Sequence, residues 1–409
     1  MLKNCLLYSL IILLLVACNP ADSTLQKTPV AELTQGTVNA PVQTAVKNIQ
    51  NNLLATMTPS SPTSALPTSN PASKPSATPL FGLKPVIHEQ PGDLYETLFS
   101  IPVGPNNIIQ YKVSSIEIEG PNAIAILPDE SFMIADPVSN RLLHFDQEGS
   151  LLNVIELENL GIRIVVDLRA KGSELYFIET GRGSDAQKKY WVHRLSTDGM
   201  LIGSDEIPYR FPIDANKSEN TIESGLTGIA IDCEGRIILE VTGGSRLFPL
   251  SEVQKQPDPA NITQGLLCNG KRYAVNRSDP WTEPQVSAGD KIYQTRLTYG
   301  LGGLHFIDVF QDGSIYIVRD DVVTDPVITV DQTVHYIGAD GAVIGVARIP
   351  LSEFYYPIMR KVAINLKGEA FVLLPRPDSL DVVRLNFYQS LPPLIPGAAN
   401  PEITILADQ

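Results

Sequence analysis

Cysteine is scarce. Only four occur in 409 residues, and two of them, Cys5 and Cys18, fall near the N-terminus. That excludes a disulfide-dense mini-scaffold. Tryptophan (2) and histidine (5) are equally sparse. Basic side chains are outnumbered, 31 against 45 acidic, for a formal charge of −14. A chain this acidic is a poor partner for nucleic acid, whose backbone demands positive charge. The apolar run Leu6–Val16 is about eleven residues long and is broken by Tyr8 and Ser9, too short to cross a bilayer comfortably. There is no Gly-x-Ser-x-Gly elbow, no His-Glu-x-x-His and no Cys-x-x-Cys. The sequence-local signatures of several hydrolase, zinc and redox chemistries are therefore missing.

What is present begins with an address. Lys3 makes the start positive, the apolar run follows, and it ends in Leu15-Val16-Ala17-Cys18. A short apolar core behind a positive start reads as a signal peptide. The final tetrad resembles the lipobox of bacterial lipoproteins. The resemblance implies removal of residues 1–17, thioether lipidation of the Cys18 sulfur and acylation of its amine. Two or three acyl chains anchor stably where one binds reversibly. An extracytoplasmic protein held to the cell membrane or envelope is the expectation. Residues 18–84 read as a disordered linker. Between Pro59 and Leu80, 15 of 22 residues are Pro, Ser or Thr, too little apolar surface to offset the entropy of ordering. As a loose coil such a linker spans roughly 45 Å. Within it, Ala40 to Met57 has a weak helical pattern (Val42, Val46, Ile49, Leu53) opposed by Pro41 and Asn51-Asn52. Once Cys5 leaves with the leader and Cys18 carries lipid, Cys233 and Cys268 remain. In a secreted domain such a pair suggests a disulfide; two buried thiols are the alternative.

The domain itself, residues 85–390, carries a degenerate β-repeat, with 391–409 as a C-terminal tail. Apolar segments recur at Ala123–Leu127, Ile164–Leu168, Gly228–Asp232, Leu304–Val309 and Lys361–Asn365. Each precedes a short turn and a second apolar strand. Three of the third strands run into Asp146–Gly149, Asp198-Gly199 and Asp340-Gly341, which supply the positive φ of tight hairpins. Four-stranded units repeated at tens of residues predict an all-β propeller. Six blades fit the length, with five as the alternative. The interval between the third and fourth segments is nearly twice the first, and it holds the hairpin signal Cys268-Asn269-Gly270-Lys271 and the alternating run Lys291–Leu297. Glu96–Val103 and Ile108–Val113 precede the first repeat and could complete the last sheet, closing the ring.

Pro121 to Gly149 resembles an NHL repeat. The matching residues are Pro121, Ile124-Ala125-Ile126, Pro128-Asp129, Ile134-Ala135-Asp136, Asn140-Arg141 and Phe145-Asp146. Glu130 departs from the pattern by standing where the turn glycine usually falls. The resemblance implies a six-bladed propeller often used to bind proteins, carbohydrate or nucleic acid. Related-looking propellers include calcium-dependent lactonases of the gluconolactonase-like class and strictosidine-synthase-like enzymes, whose metal-site signatures find no clear match here.

Loop lengths divide the two faces. Turns joining first to second and third to fourth strands are short. The connections Thr180–Lys189, Pro208–Leu226, Thr242–Ile262, Asn276–Leu301 and Asp321–Gln332 are long. Elaborated loops on a rigid scaffold concentrate binding residues, so the long-loop face is expected to bind. Arg182, Tyr209, Arg210, Phe211, Trp281, Tyr293, Asp320, Tyr355 and Tyr356 are its candidate ligand contacts, Tyr, Trp and Arg being favoured anchors. Filling the gaps between blades is the competing role for these aromatics. On the innermost strands one position reads Ala125, Asp167, Ala230, Asp308 and Ala363. Two carboxylates among alanines must be solvated, paired or metal-bound. Asp167 and Asp308, with His305 beside them, are therefore the candidate calcium ligands and, in an enzyme, the candidate catalytic residues. His144, His193 and His335 share a third-strand position on separate blades, too far apart for one ion. They read as a repeated hydrogen-bonding post. Asp136, Glu179, Glu240 and Asp320 recur at second-strand ends and read as turn acceptors.

The expectation is a monomeric, lipid-anchored binding module that presents one face to a protein or glycan ligand and needs no cofactor. The alternative is a calcium-dependent lactonase, hydrolase or lyase.

Overall fold

The computed structural model describes residues 84–406, apart from 115–116, 164, 183–188, 209–225, 242–245, 256–261, 277–282, 298–301, 324–326, 359–361 and 395–402. The leader, Cys18, nearly all of the linker and the weak helical pattern at 40–57 lie outside the described residues, as do Tyr209, Arg210, Phe211 and Trp281.

Six sheets form the blades of a β-propeller. Blade one runs Ala123–Ile126, Phe132–Asp136, Arg141–Phe145 and Leu151–Glu156. Blade two runs Val165–Lys171, Glu174–Arg182, Lys189–Ser196 and Leu201–Ile207. Blade three has Leu226–Ile231, Ile237–Val241 and Arg246–Pro249, followed by the one-turn helix Leu250–Val253. Blade four has Leu266–Cys268, Lys271–Asn276, Gln285–Ala288 and Lys291–Thr295. The poorly marked interval in the sequence is thus a whole blade, which decides six over five. Blade five runs Gly303–Val309, Ile315–Val323, Thr329–Ile337 and Val343–Arg348. Blade six has Ala363–Ile364, Ala370–Pro375 and Ser379–Leu385.

The fourth strand of blade six comes from the N-terminal side. Tyr95–Pro102 pairs antiparallel with Ser379–Leu385. Of the two segments expected to close the ring, only this one does. Lys112–Val113 instead folds onto Ile118–Glu119 as a separate small hairpin. Two further pairings tie the ends down. Phe387–Tyr388 joins the outer edge of blade five and pairs in parallel with Ile87–His88. Ile403–Leu406 adds a fifth strand to blade four. The chain between them docks as well, because Asp331 accepts from the Leu394 N–H and Arg348 donates to the Pro392 carbonyl.

Burial explains the strand composition. A second strand such as Phe132–Asp136 is buried at every residue, because neighbouring blades cover both faces of its sheet. It reads as a continuous apolar run rather than an alternation. The outer strand Leu151–Glu156 is mostly exposed. Apolar side chains fill every junction: Phe99, Phe132 and Phe371 between blades six and one; Leu175 and Met133 between one and two; Phe248 and Ile178 between two and three; Tyr273 and Phe306 among three, four and five; Tyr316 and Phe387 between five and six. Gly149, with φ 85°, approaches Phe99 so closely that a Cβ would meet its ring at 2.6 Å, so this turn depends on glycine. Glu130 holds φ 67° at the position where the repeat usually has glycine and pairs with Lys367. Cys233, in the turn after the first strand of blade three, is disulfide-bonded to Cys268 at the end of the first strand of blade four.

Candidate functional site

The propeller axis is nearly closed. A cavity of about 50 Å³ is lined by inner-strand residues of blades one, two, three, five and six, among them Ala125, Ala230, Asp308 and Ala363. That is room for a few waters and not for a substrate. The Arg169 side chain crosses it. Its Nε donates to the Ile229 carbonyl at 2.8 Å, and Nη2 reaches Glu240 at 3.0 Å and the Ile307 carbonyl at 3.4 Å. Asp167 is buried and accepts from two backbone N–H groups, Leu168 at 2.9 Å and Ile229 at 2.8 Å. Asp308 accepts from the Val309 N–H at 2.8 Å and stands near Lys171. Burial lowers the Lys171 pKa against the opposing pull of Asp232 and Asp308.

These residues do not fit a calcium site. Both axial carboxylates accept from backbone N–H groups, and Asp308 stands near Lys171, where calcium needs six to eight converging oxygens. Among the described residues no three His, Cys, Asp or Glu are grouped to hold a metal ion. His305 does not join Asp167 and Asp308 either. Its Nε2 lies 2.7 Å from Asp320 Oδ2, while its Nδ1 is buried without a partner.

The strand-end carboxylates are each paired. Asp136 accepts from Ser139 N–H and from Arg141 Nε. Glu240 holds Arg169, Glu179 accepts from the Arg163 N–H at 3.0 Å and meets His193, and Asp320 meets His305. The third-strand post is equally concrete. His144, His193, His335 and Arg384 occupy one register, opposite Met133, Phe177, Ile317 and Phe371. They bond respectively to Ser131; to Glu179 and Ser204; to Thr333; and to Glu369 and Glu96. In blades one, two and six the post ties its strand to a neighbouring strand or turn, whereas in blade five His335 bonds within its own strand.

Of the aromatics expected on the binding face, Tyr356 is buried instead. Its hydroxyl donates to the Pro121 carbonyl at 2.8 Å, and its ring meets Tyr111 edge-on at 5.0 Å. Tyr355 packs partly buried against the same cluster. Both fill the junction of blades six and one. Arg182 ends the second strand of blade two.

Tyr293 leads to a concavity on the short-turn face. About 380 Å³ opens between blades four and five, lined by Lys271, Tyr273, Asp290, Lys291, Tyr293 and Asp312, with Asn269, Gln311 and Gly313 at its edges. Tyr273 stands opposite Ala288 and Tyr293 opposite Val286, so alternation puts both rings on one face of blade four. The rings are 3% and 2% exposed. Neither hydroxyl has a protein hydrogen-bond partner among the described residues. Burial pushes the Tyr293 phenol up to about 12, with Tyr273 and Asp340 adding to it; burial likewise raises Tyr273. Both remain neutral donors at any physiological pH. Around them Lys291 donates to the Ala339 carbonyl at 2.9 Å and Asp312 caps Ser314. The wall is thus mixed in charge and rich in donors and acceptors, the character of a site for a polyhydroxylated ligand. Tyr273 and the two lysines escaped the sequence reading, although a local signal exists. Lys271-Arg272-Tyr273 and Lys291-Ile292-Tyr293 each follow a hairpin turn with the same Lys-x-Tyr spacing.

No family model matches the chain, and no curated protein sequence matches it. Solved structures that resemble it are themselves distant in sequence. They include a glucose dehydrogenase (10% identity, 71% of this chain and 99% of that one, TM-score 0.39). A streptogramin B lyase is similar at 14% identity over 71% of this chain and 99% of that one, TM-score 0.33. The soluble aldose sugar dehydrogenase of Escherichia coli is similar at 11% identity over 65% and 96%, TM-score 0.33. At these identities and scores they carry no argument about activity.

Proposed function

We propose that this chain is an extracytoplasmic binding module, held to a membrane through lipid on Cys18, whose propeller takes a glycan unit in the cavity between blades four and five. The observation that supports this most is the pair Tyr273 and Tyr293, buried rings whose unpartnered hydroxyls face an open cavity. A phenol hydroxyl that no protein group engages takes its partner from outside, from water or a ligand. A volume of about 380 Å³ suits one or two sugar rings and is too narrow for a protein surface. The linker would hold the site clear of the membrane.

Calorimetric titration with a panel of mono- and oligosaccharides tests the reading. Tyr273→Phe and Tyr293→Phe should each weaken a binding saccharide by roughly three- to tenfold, the worth of one hydrogen bond, with little change in fold. Binding unaffected by both changes, or no saccharide bound at all, would refute it. Capture of a protein that leaves the cavity tyrosines indifferent would move the ligand to the long-loop face.

A further inference from the structure

We infer that Ser204, His193 and Glu179 form an acyl-transfer relay on the flank of blade two, with Ser204 as nucleophile toward esters of small apolar acids. This does not rest on the glycan cavity, which lies at another junction of the ring.

The three side chains are brought together by register. His193, on the third strand, is opposite Phe177 on the second and Ser204 on the fourth. Glu179 lies two residues beyond Phe177, on the same face. The Ser204 Oγ is 2.8 Å from His193 Nδ1, and His193 Nε2 is 2.8 Å from Glu179 Oε2. Glu179 is itself oriented by the Arg163 N–H on its other oxygen. His193 and Glu179 are 6% and 3% exposed, whereas Ser204 is open to solvent.

The order of groups matters. A carboxylate can only accept, so Glu179 fixes the proton of the neutral imidazole on Nε2. The Nδ1 lone pair then faces the serine hydroxyl, the arrangement in which histidine acts as general base. The other blades build the same post position without this order. In blade one the carboxylate, Asp129, binds Ser131 rather than the ring of His144. In blade five His335 meets Thr333 in a fully buried site, and blade six uses Arg384. Among these posts, only blade two has carboxylate, imidazole and an exposed hydroxyl in sequence.

The step balances with water as the sole co-reactant. Ser204 Oγ attacks the ester carbonyl carbon as its proton passes to His193 Nδ1. The ester C–O bond breaks, the leaving alcohol takes that proton, and an acyl-serine remains. Water then attacks with the same base, releasing the carboxylic acid and restoring the serine. Leu201–Ile207 is the outermost strand of its sheet, and an edge strand presents outward N–H groups to a developing oxyanion. Leu201 and Ile202, 40% and 39% exposed, offer the acyl group an apolar neighbour.

The test is labelling of the full chain with a fluorophosphonate probe, located by peptide mass, alongside hydrolysis of p-nitrophenyl butyrate. The expected result is one adduct, on Ser204. Ser204→Ala should abolish it and lower hydrolysis by about a hundredfold or more, with the melting temperature unchanged. Glu179 is a positioning residue, so Glu179→Gln should lower kcat for hydrolysis with KM little changed and the fold intact, a split that a merely structural role would not give. Absence of an adduct on well-folded protein, or equal labelling of Ser204→Ala, overturns the proposal.

Discussion

Replacing His335 with glutamine should remove much of the acid sensitivity of this fold. His335 is fully buried in blade five. Its Nε2 lies 2.9 Å from Thr333 Oγ1, and its Nδ1 has no partner. Burial, and then the nearby Arg319 guanidinium, push its pKa from 6.5 down to about 3. The unfolded chain has neither constraint and protonates near 6.5. Below that pH the unfolded state binds a proton that the folded state refuses. Stability therefore falls as pH falls, by up to about 1.4 kcal/mol per unit. The penalty is absent above pH 6.5, begins below it and is complete near pH 3. It amounts to about 2 kcal/mol at pH 5 and about 5 kcal/mol in full. Urea denaturation followed by circular dichroism, at several pH values from 7.5 to 4.5, measures it in both proteins. The remaining carboxylates and histidines titrate alike in both, so the difference curve isolates His335. His335→Gln carries a constant offset from its own buried amide, but its stability should fall less steeply, gaining about 2 kcal/mol on the native protein between pH 7.5 and 5. Parallel curves would refute the reasoning and mean that the imidazole protonates inside the fold.

Two further outcomes follow from the scaffold. Cys233 and Cys268 are 35 residues apart, so Cys233→Ser with Cys268→Ser should cost about 4 kcal/mol on loop entropy, read from chemical denaturation; a loss below about 1 kcal/mol would mean the unfolded loop is already compact. Glu130→Gly relieves a left-handed backbone worth about 1–2 kcal/mol, against glycine's entropy and an ion pair with Lys367 worth little at a surface. A small net gain, about 0.5 kcal/mol, should appear in the melting temperature, and a clear loss would show that the ion pair matters more than the backbone.

The hairpins were readable because they are local. Asn269-Gly270 and Asp146–Gly149 specify positive φ within a few residues, and the structure places them at φ 52°, 71° and, for Gly149, 85°. The shared register of His144, His193 and His335 was also readable, since one repeat period carries it. So was the closing role of the segment at Glu96–Val103, because a strand left over at one end fits a vacancy at the other. The surroundings of the axial carboxylates were not legible, for a physical reason. Sequence shows that Asp167 replaces alanine, but not that Ile229 N–H stands 2.8 Å away or that Arg169 reaches across the axis. Tyr356 was placed on an exposed face by its loop, and the packing of Tyr111 and the Pro121 carbonyl decided otherwise.

The sequence by itself determined the repeat, the turn chemistry, the acidic balance and the burial of each blade's middle strands. Those follow from backbone preference and alternation along a single strand. Tertiary structure alone decided which side chains meet. The 380 Å³ cavity forms because Tyr273 and Tyr293 face blade five rather than blade three. The serine, histidine and glutamate of blade two meet because three strands pair in one register. Alternation says which residues share a face; only the neighbouring sheet says what that face meets.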